Sequence, residues 1–413
     1  MSTALTLAPW LDAARALSAT RFADAEAPSD ADEVWRYSRI SDVDLSAFSP
    51  PTSTTSTIEP MEINGAAATV VVRDGRVVSI DRSASLGKAT VQTISEHADG
   101  ESLLNSVRGL PIDAVAHLHD ANISDALIID VPRGLHIESP IVIDVYSDVE
   151  GGLTCPHTIV RAGNGAAVTV MERRRSADAS QLVIPTVELA ASPDARVAYL
   201  VIQQLGPNTV SLEHHIAQAD KQAHVLSSVA AFGGSYARTR ADCRLIGQGA
   251  SGDLLSAYFG DGSQMLDFRT FQEHAAPDTT SNLLFKGAVT GDAQSVYTGL
   301  IKVAESAPGT NAFQTNRNLK LSEGAWAYSV PNLEIEQNQV SCSHASTVGE
   351  IDEDQRFYLE SRGVPTTIAE QLLVSGFFAE VIALLPVEAV RSEMQSIIDD
   401  ALAADRATSE VVS

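Results

Sequence analysis

The chain has 413 residues, with 53 acidic side chains against 28 basic ones and a formal charge of -25. That balance excludes a surface built for nucleic acid, whose phosphates need clustered Lys and Arg, and it favours solubility or a basic partner. At 44% hydrophobic content the chain can bury a large core and fill two or three structural regions. Three cysteines, Cys155, Cys243 and Cys342, are too sparse and odd in number for a disulfide framework, so a reducing cytoplasm is expected. The first residues lack a basic segment followed by a long apolar core, and no secretory signal is expected. The longest apolar stretch, Val374 to Leu385, contains Glu380 and falls well short of the roughly 20 residues of a membrane helix.

Pro9 to Phe22 reads as a short helix, with Pro9 in its first turn and Trp10, Ala13, Ala14 and Leu17 on one stripe. Trp35 and Tyr37, in DEVWRYSRI, read as packing residues. Ser49 to Thr57 is rich in Ser, Thr and Pro and reads as a linker. In VVVRDGRVVSI, Asp74-Gly75 lies between two β-branched runs and predicts a hairpin. From Ala126 onward the chain is β-rich. Small-residue turns recur at Gly163 to Ala167, Ser192 to Ala195, Ala219 to Ala223, Gly247 to Gly252, Gly291 to Ala293 and Ser322 to Ala325, each before an apolar strand. Their separation, commonly roughly 25 to 30 residues with no intervening helix, suggests a stacked β-solenoid, with a β-sandwich as the alternative. Gly247 to Gly252 matches G-x-G-x-x-G, but the long helix a dinucleotide fold requires has no room before Gly260, so a solenoid corner is expected.

His117-x-His119 and His214-His215 lack a third ligand at metal-site spacing and read as packing or surface histidines. Cys155 and Cys243 read as small core residues. The strongest functional signal is Leu333 to Glu380. It starts as a strand, with Leu333, Ile335 and Val340 apolar among polar neighbours, and then offers Cys342 and His344. If the strand continues, both side chains share a face, a soft ligand pair or a nucleophile with its base. The acidic run Glu350 to Asp354 looks like a solvated helix start. Beyond it, Phe357, Tyr358, Ile368, Leu372, Leu373 and Phe377 are spaced like two helices broken by Gly363, Pro365 and Gly376.

The run CSHASTVGEIDEDQRFYLESRGV, with Gly376 and Phe377 after it, resembles the signature of the SufB/SufD family of iron-sulfur cluster assembly proteins, and most of all its SufD-like members. Those carry Cys-x-His-Gly-Ala-Thr-Val-Gly, an acidic turn and Phe-Tyr-Leu-x-Ser-Arg-Gly; here Ala345 and Ser346 replace the usual Gly and Ala. SufB-like members have Cys-Glu-His at this point. DEVWRYSRI, the Val131-Pro132 turn, and the stretch from His274 through Thr279, Ser281, Lys286 and Gly287 resemble family segments as well.

The resemblance implies a mainly β fold, a right-handed parallel β-helix core flanked by N-terminal and C-terminal helical regions. Residues 1–60 would form a helical segment and linker, 61–125 a mixed connecting region, 126–348 the β-helix and 349–413 the C-terminal helical domain. It implies a non-catalytic scaffold subunit that builds and transfers clusters with SufB and the ATPase SufC and takes part in iron acquisition. His344 and Cys342 are the matching candidates for a transient cluster site shared with SufB. The apolar stripe of Phe377, Phe378, Val381, Ile382 and Leu385 is the expected docking surface for SufC. Nucleotide hydrolysis falls to that partner, since the chain has no GxxxxGK[ST]. A homodimer is expected when the chain is alone, and flavin binding is left open. The rival reading is a stand-alone β-helix enzyme acting on carbohydrate with paired carboxylates. It is disfavoured by the missing secretory signal, by 5% aromatic content, and by acidic residues placed at a helix start.

Overall fold

The computed structural model describes residues 8–52 and 63–412, with side chains as far as residue 403. Of the expected linker, residues 53–57 lie outside the described residues. Among the described residues, two long sheets face each other across a common lumen. The first runs, in spatial order, Arg76–Arg82, Ala68–Arg73, Ile141–Ser147, Ala167–Ser176, Arg196–Gln204, His224–Ala231, Ser251–Gly260, Thr280–Val289, Thr310–Lys320 and Val340–Gly349. The second runs from Thr90–Thr93 through Ala126–Val131, His157–Ala162, Thr186–Ala191, Thr209–Ala219, Tyr236–Leu245, Met265–His274 and Gln294–Val303 to Trp326–Ile335. Successive strands alternate between the sheets, and within each sheet the ladders are parallel and in register, as in Ser251 with Thr280 through Gly260 with Val289. The fold is therefore the parallel β-solenoid, flanked by helices at both ends of the chain.

A strand in this arrangement has both faces covered, which is why its sequence reads as nearly continuous apolar residues. Inward residues of both sheets, from Val70 and Ile143 through Val170, Val201, Val225, Phe268 and Phe285, form the lumen cluster. The outer face of the first sheet, carrying Met171, Leu200, Ile202, Leu255 and Phe259, is covered by the helices Thr366–Ile382 and Glu388–Val412. The outer face of the second sheet is covered by the N-terminal segments, through Trp35, Ile40, Val115 and Leu118.

The repeat turns form the corners. The four from Gly163 to Gly252 join the second sheet to the first, whereas Gly291 to Ala293 and Ser322 to Ala325 join the first to the second. The G-x-G-x-x-G stretch is such a corner, with Gly249 at φ +71° between strands ending at Leu245 and starting at Ser251. The Asp74-Gly75 hairpin is present, with both residues at positive φ (48° and 76°), as a two-residue turn of that type requires. The first helix spans Pro9–Asp24 but buries Leu11 and Ser18; Leu17 is exposed, so its inner stripe is rotated from the expected one. Gly376 lies inside the helix Thr366–Ile382 and does not break it. Among the described residues no helix is long and apolar enough to cross a membrane.

The two ends of the solenoid differ. At the N-terminal end the sheets finish in antiparallel strands, Arg76–Arg82 and Thr90–Thr93. At the other end Trp326–Ile335 and Val340–Gly349 are the last strands of their sheets, and Leu333, Ile335 and Val348 remain exposed there.

Gly287 belongs to the stretch that the sequence left without a role. A Cβ there would fall 1.9 Å from the ring of Tyr258, which crosses the lumen at this point. Gly287→Ala is therefore expected to destabilise the chain by about 1 to 3 kcal/mol through overpacking. Gly349→Ala, where nothing lies within 4 Å, should be close to neutral. Thermal melts of the two variants check the difference.

Candidate functional site

Inward and outward side chains alternate along Val340–Gly349. Cys342 pairs with Ala312 and His344 with Gln314, both buried inward residues, so Cys342 and His344 do share the lumen-facing side. Their surroundings differ. Cys342 is half-buried against the small apolar cluster of Ile301, Val303, Ala307 and Ala312, and burial pushes its thiol up. A raised thiol is a poor nucleophile and a poor ligand until a metal displaces its proton. His344 is exposed at the open mouth. Among the described residues no group of three His, Cys, Asp or Glu side chains is placed to hold a metal ion.

Beneath the mouth the lumen is polar. Asn316 Nδ2 donates to Tyr258 Oη at 3.1 Å, Tyr258 Oη donates to Asn318 Oδ1 at 2.6 Å, and Asn318 Nδ2 donates to Asn316 Oδ1 at 2.8 Å. Sequence reasoning missed this face. The signal was available, because Ala312, Gln314, Asn316 and Asn318 fall on one parity of a strand whose register is set by its neighbours.

The C-terminal helices carry a correction. Phe378, Val381, Ile382 and Leu385 are buried in the cluster with Met171, Leu200, Leu255 and Phe259, and Phe377 packs at its margin. The stripe expected to dock an ATPase is covered by the chain's own solenoid, because the outer face of the first sheet is itself apolar and must be sheltered. Lys286 fastens this contact. Its ammonium donates to Phe377 O at 2.8 Å, pairs with Glu380 and lies 4.5 Å from the centre of the Phe377 ring. The hydrogen bond that Glu380 accepts from Lys286, and then the charges of Lys286 and Arg317, hold its carboxyl below the usual range. The large apolar side chains left exposed here include Phe357 (71%), Tyr358 (57%), Leu384 (54%) and Leu372 (53%). Asp352 caps the helix Glu353–Ser361 by accepting from the amides of Asp354 and Gln355, so the acidic run is a helix start.

Four other histidines make polar contacts within the fold. His119 Nδ1 donates to Ile184 O at 2.7 Å, its Nε2 lies 3.0 Å from His157 Nδ1, and His157 Nε2 lies 2.9 Å from Glu188 Oε1, all buried. His117 does not join them. His214 contacts Asp242 at 3.0 Å, while His215, on the opposite face of the strand, contacts Ser227 and Glu213. Trp35 is buried with the Arg238 guanidinium 4.0 Å from its ring centre, and Tyr37 stacks on Tyr328 at 4.8 Å. Cys155 and Cys243 are buried, and burial raises the Cys243 thiol to about 12.

The architecture and its mouth define a class: a parallel β-solenoid whose candidate chemistry sits on the terminal strand at an uncapped end. Residues 145–377 match the SufBD core domain of the SUF system for FeS cluster assembly. A SufBD family iron-sulfur cluster assembly protein of Mycobacterium tuberculosis is 37% identical over 303 residues, 71% of this chain and 75% of that protein. SufD of Escherichia coli is 27% identical over 91% of this chain and 89% of its own length, and SufD of Bacillus subtilis 27% over 74% and 71%. The chain belongs to the SufBD family, and its role lies in iron-sulfur cluster assembly.

Two expected outcomes test these assignments. Lys286→Met should cost about 2 kcal/mol at the latch, one charged hydrogen bond. Amide exchange should then rise in Thr366–Ile382 while the lumen strands stay protected; unchanged exchange there would show that apolar packing alone holds the helix.

The second concerns His274, whose Nδ1 and Nε2 lie 2.8 and 2.9 Å from the hydroxyls of Thr279 and Ser281. Burial lowers His274 to about 4. An unfolded imidazole titrates near about 6.5, so between these values the unfolded chain binds the extra proton. Stability is therefore complete above about 6.5 and lost as the pH falls toward 4. His119 and His214, also lowered by burial, add in the same sense. His274→Gln keeps polar contact with both hydroxyls and removes one titrating group. The acid-side loss of stability, followed by urea melts, should flatten by up to ~1.4 kcal/mol per pH unit.

Proposed function

We propose that the chain is a SufD-type scaffold subunit without turnover of its own, working in the reducing cytoplasm with a homologous SufB-type solenoid and the ATPase SufC. The observation that carries this reading is the asymmetry of the solenoid: finished by antiparallel strands at one end, and at the other ending in two parallel strands that are each paired on one side only, one of them carrying His344. Open ends of a solenoid need a cap, and a strand edge with exposed Leu333, Ile335 and Val348 favours pairing with another chain. A homologous solenoid supplies a matching cross-section. A second copy of the chain covers the same surface when the partner is lacking.

At that junction His344 offers an imidazole nitrogen, and an imidazole binds iron through its neutral form without carrying a charge into a covered interface. Iron and sulfide are cargo here, held transiently between the subunits, and iron acquisition is the step the imidazole serves. Cys342, packed on apolar neighbours with a raised thiol, takes a secondary part. The ATPase docks on part of what the C-terminal helices leave exposed, at Phe357, Tyr358 and Leu372, since the inner stripe is occupied.

His344→Ala should leave the three-protein complex assembled and reduce the iron and acid-labile sulfide it accumulates in cells at least tenfold, with a smaller effect from Cys342→Ala. A full complement of cluster in the His344→Ala complex would refute the ligand role. The paired change Phe357→Asp with Leu372→Asp should abolish co-purification of the ATPase while the melting temperature holds. Phe378→Asp should instead unfold the helical region, because it buries a charge against the solenoid.

A further inference from the structure

His344 has a neighbour that no reading of the motif includes. In the ladder between Thr310–Lys320 and Val340–Gly349, the residue directly beneath His344 is Gln314, one strand spacing of about 4.8 Å inward and on the same face. Gln314 is 2% exposed, and among the described residues neither its Nε2 nor its Oε1 has a hydrogen-bond partner. The next two rungs behave differently: Asn316 and Asn318 bond to each other and to Tyr258. Of the three inward amides on this strand, the open one is the one under the histidine.

Space is reserved for it. At Gly299, on the facing sheet, an added Cβ would lie 2.4 Å from Gln314 Nε2 and 2.2 Å from the Tyr297 hydroxyl, so the amide lies across the glycine. The inward neighbours of His344 on its own strand do not take its place. Cys342 is turned into apolar packing, and Ser346 stands over the already bonded Asn316.

A neutral imidazole carries a proton on one nitrogen and a lone pair on the other, and the hydrogen bond made by the first decides which nitrogen is free to bind a metal. We infer that Gln314 is the positioning residue of His344: its amide oxygen accepts the proton of the inward ring nitrogen, so that the outward nitrogen presents its lone pair at the mouth. This rests on the reading of His344 as a ligand, and it assigns the group that selects the tautomer. Gln314 itself touches no cargo.

The test uses the full chain in its complex as isolated from cells, with histidine labelled by 15N and 13C. Gln314→Met keeps the shape and removes the acceptor; Gln314→Leu is a second such variant should methionine pack poorly. In the parent complex His344 should show a single tautomer. In the variants it should show a mixture of both, cluster content should drop at least threefold, and the melting temperature should be equal or higher, since an open buried amide is gone. Gln272→Met is the control: Gln272 is 1% exposed and, among the described residues, equally unpartnered, but stands beside Ile301 on the other sheet, and changing it should alter neither signal. A single unchanged tautomer in both Gln314 variants overturns the inference, as does an equal response to Gln272→Met. If His344→Ala retains full cluster, the ligand reading fails, and the tautomer spectra still decide what Gln314 does.

Discussion

The parallel in-register ladder is the constraint on which everything else depends. Each strand satisfies its backbone through the strand one turn before and one turn after, so no turn is complete by itself and every residue inherits its facing from the neighbour it pairs with. Facing is thus propagated over the whole solenoid. A slip of one residue anywhere would turn the lumen cluster outward and expose its valines and phenylalanines. The ladder is also why two residues near the C-terminus, Cys342 and His344, have a defined orientation although they lie at an open edge. Their register is set by Ala312 and Gln314, which are set in turn by Ser281 and Leu283 on the strand before.

What fills the lumen changes along its length. The early turns are lined by Val, Ile and Leu, interrupted by a buried charged group in which Arg174 is held by Glu172 and Glu213. An arginine between two carboxylates with hydrogen bonds to both is among the few ways a charge can be kept in such an interior, and removing either acid would leave it uncompensated. The later turns hold an aromatic layer, in which Tyr258, Phe268, Phe285 and Tyr297 contact in sequence at 4.5 to 5.5 Å between ring centres. Beyond that layer come the amides. The rings separate the charged group from the polar mouth, so the chemistry available to His344 is that of its immediate rungs.

Much of this was legible in the sequence. Small-residue corners recurring at roughly 25 to 30 residues suggest a stack of strands, the family resemblance decides for it against a sandwich, and the Cys-x-His spacing on a strand places both residues on one face whatever the fold. The helix from Glu353 was marked by its acidic cap. Two things were not legible, for the same reason. The apolar residues Phe378, Val381, Ile382 and Leu385 form a stripe, and a stripe announces only that something covers it. What covers it is the outer face of the first sheet, most of whose residues, from Met171 to Phe259, lie more than a hundred positions earlier in the chain, so local reasoning assigned the stripe to a partner. Gln314 likewise is an ordinary polar residue in a strand until the ladder puts it under His344. Periodicity reveals which side a residue takes; only the register between distant strands reveals which residue it meets.

The same register bears on how the C-terminal helices relate to the mouth. The strand carrying His344 ends at Gly349 and the next helix begins at Glu353, with Asp352 already serving as its cap, so the connection has almost no slack. That helix buries none of its residues and is tied to its successor through Arg356 and Glu370, at 3.2 Å on a partly exposed surface where an ion pair is weak. The successor, in contrast, is anchored by a broad apolar face and by the Lys286 latch. A load applied to the exposed helix therefore meets little resistance from packing and is carried by the short link into the terminal strand, while the helix behind it stays fixed to the solenoid. The mouth strand is paired on one side only, so a single ladder holds it against such a pull.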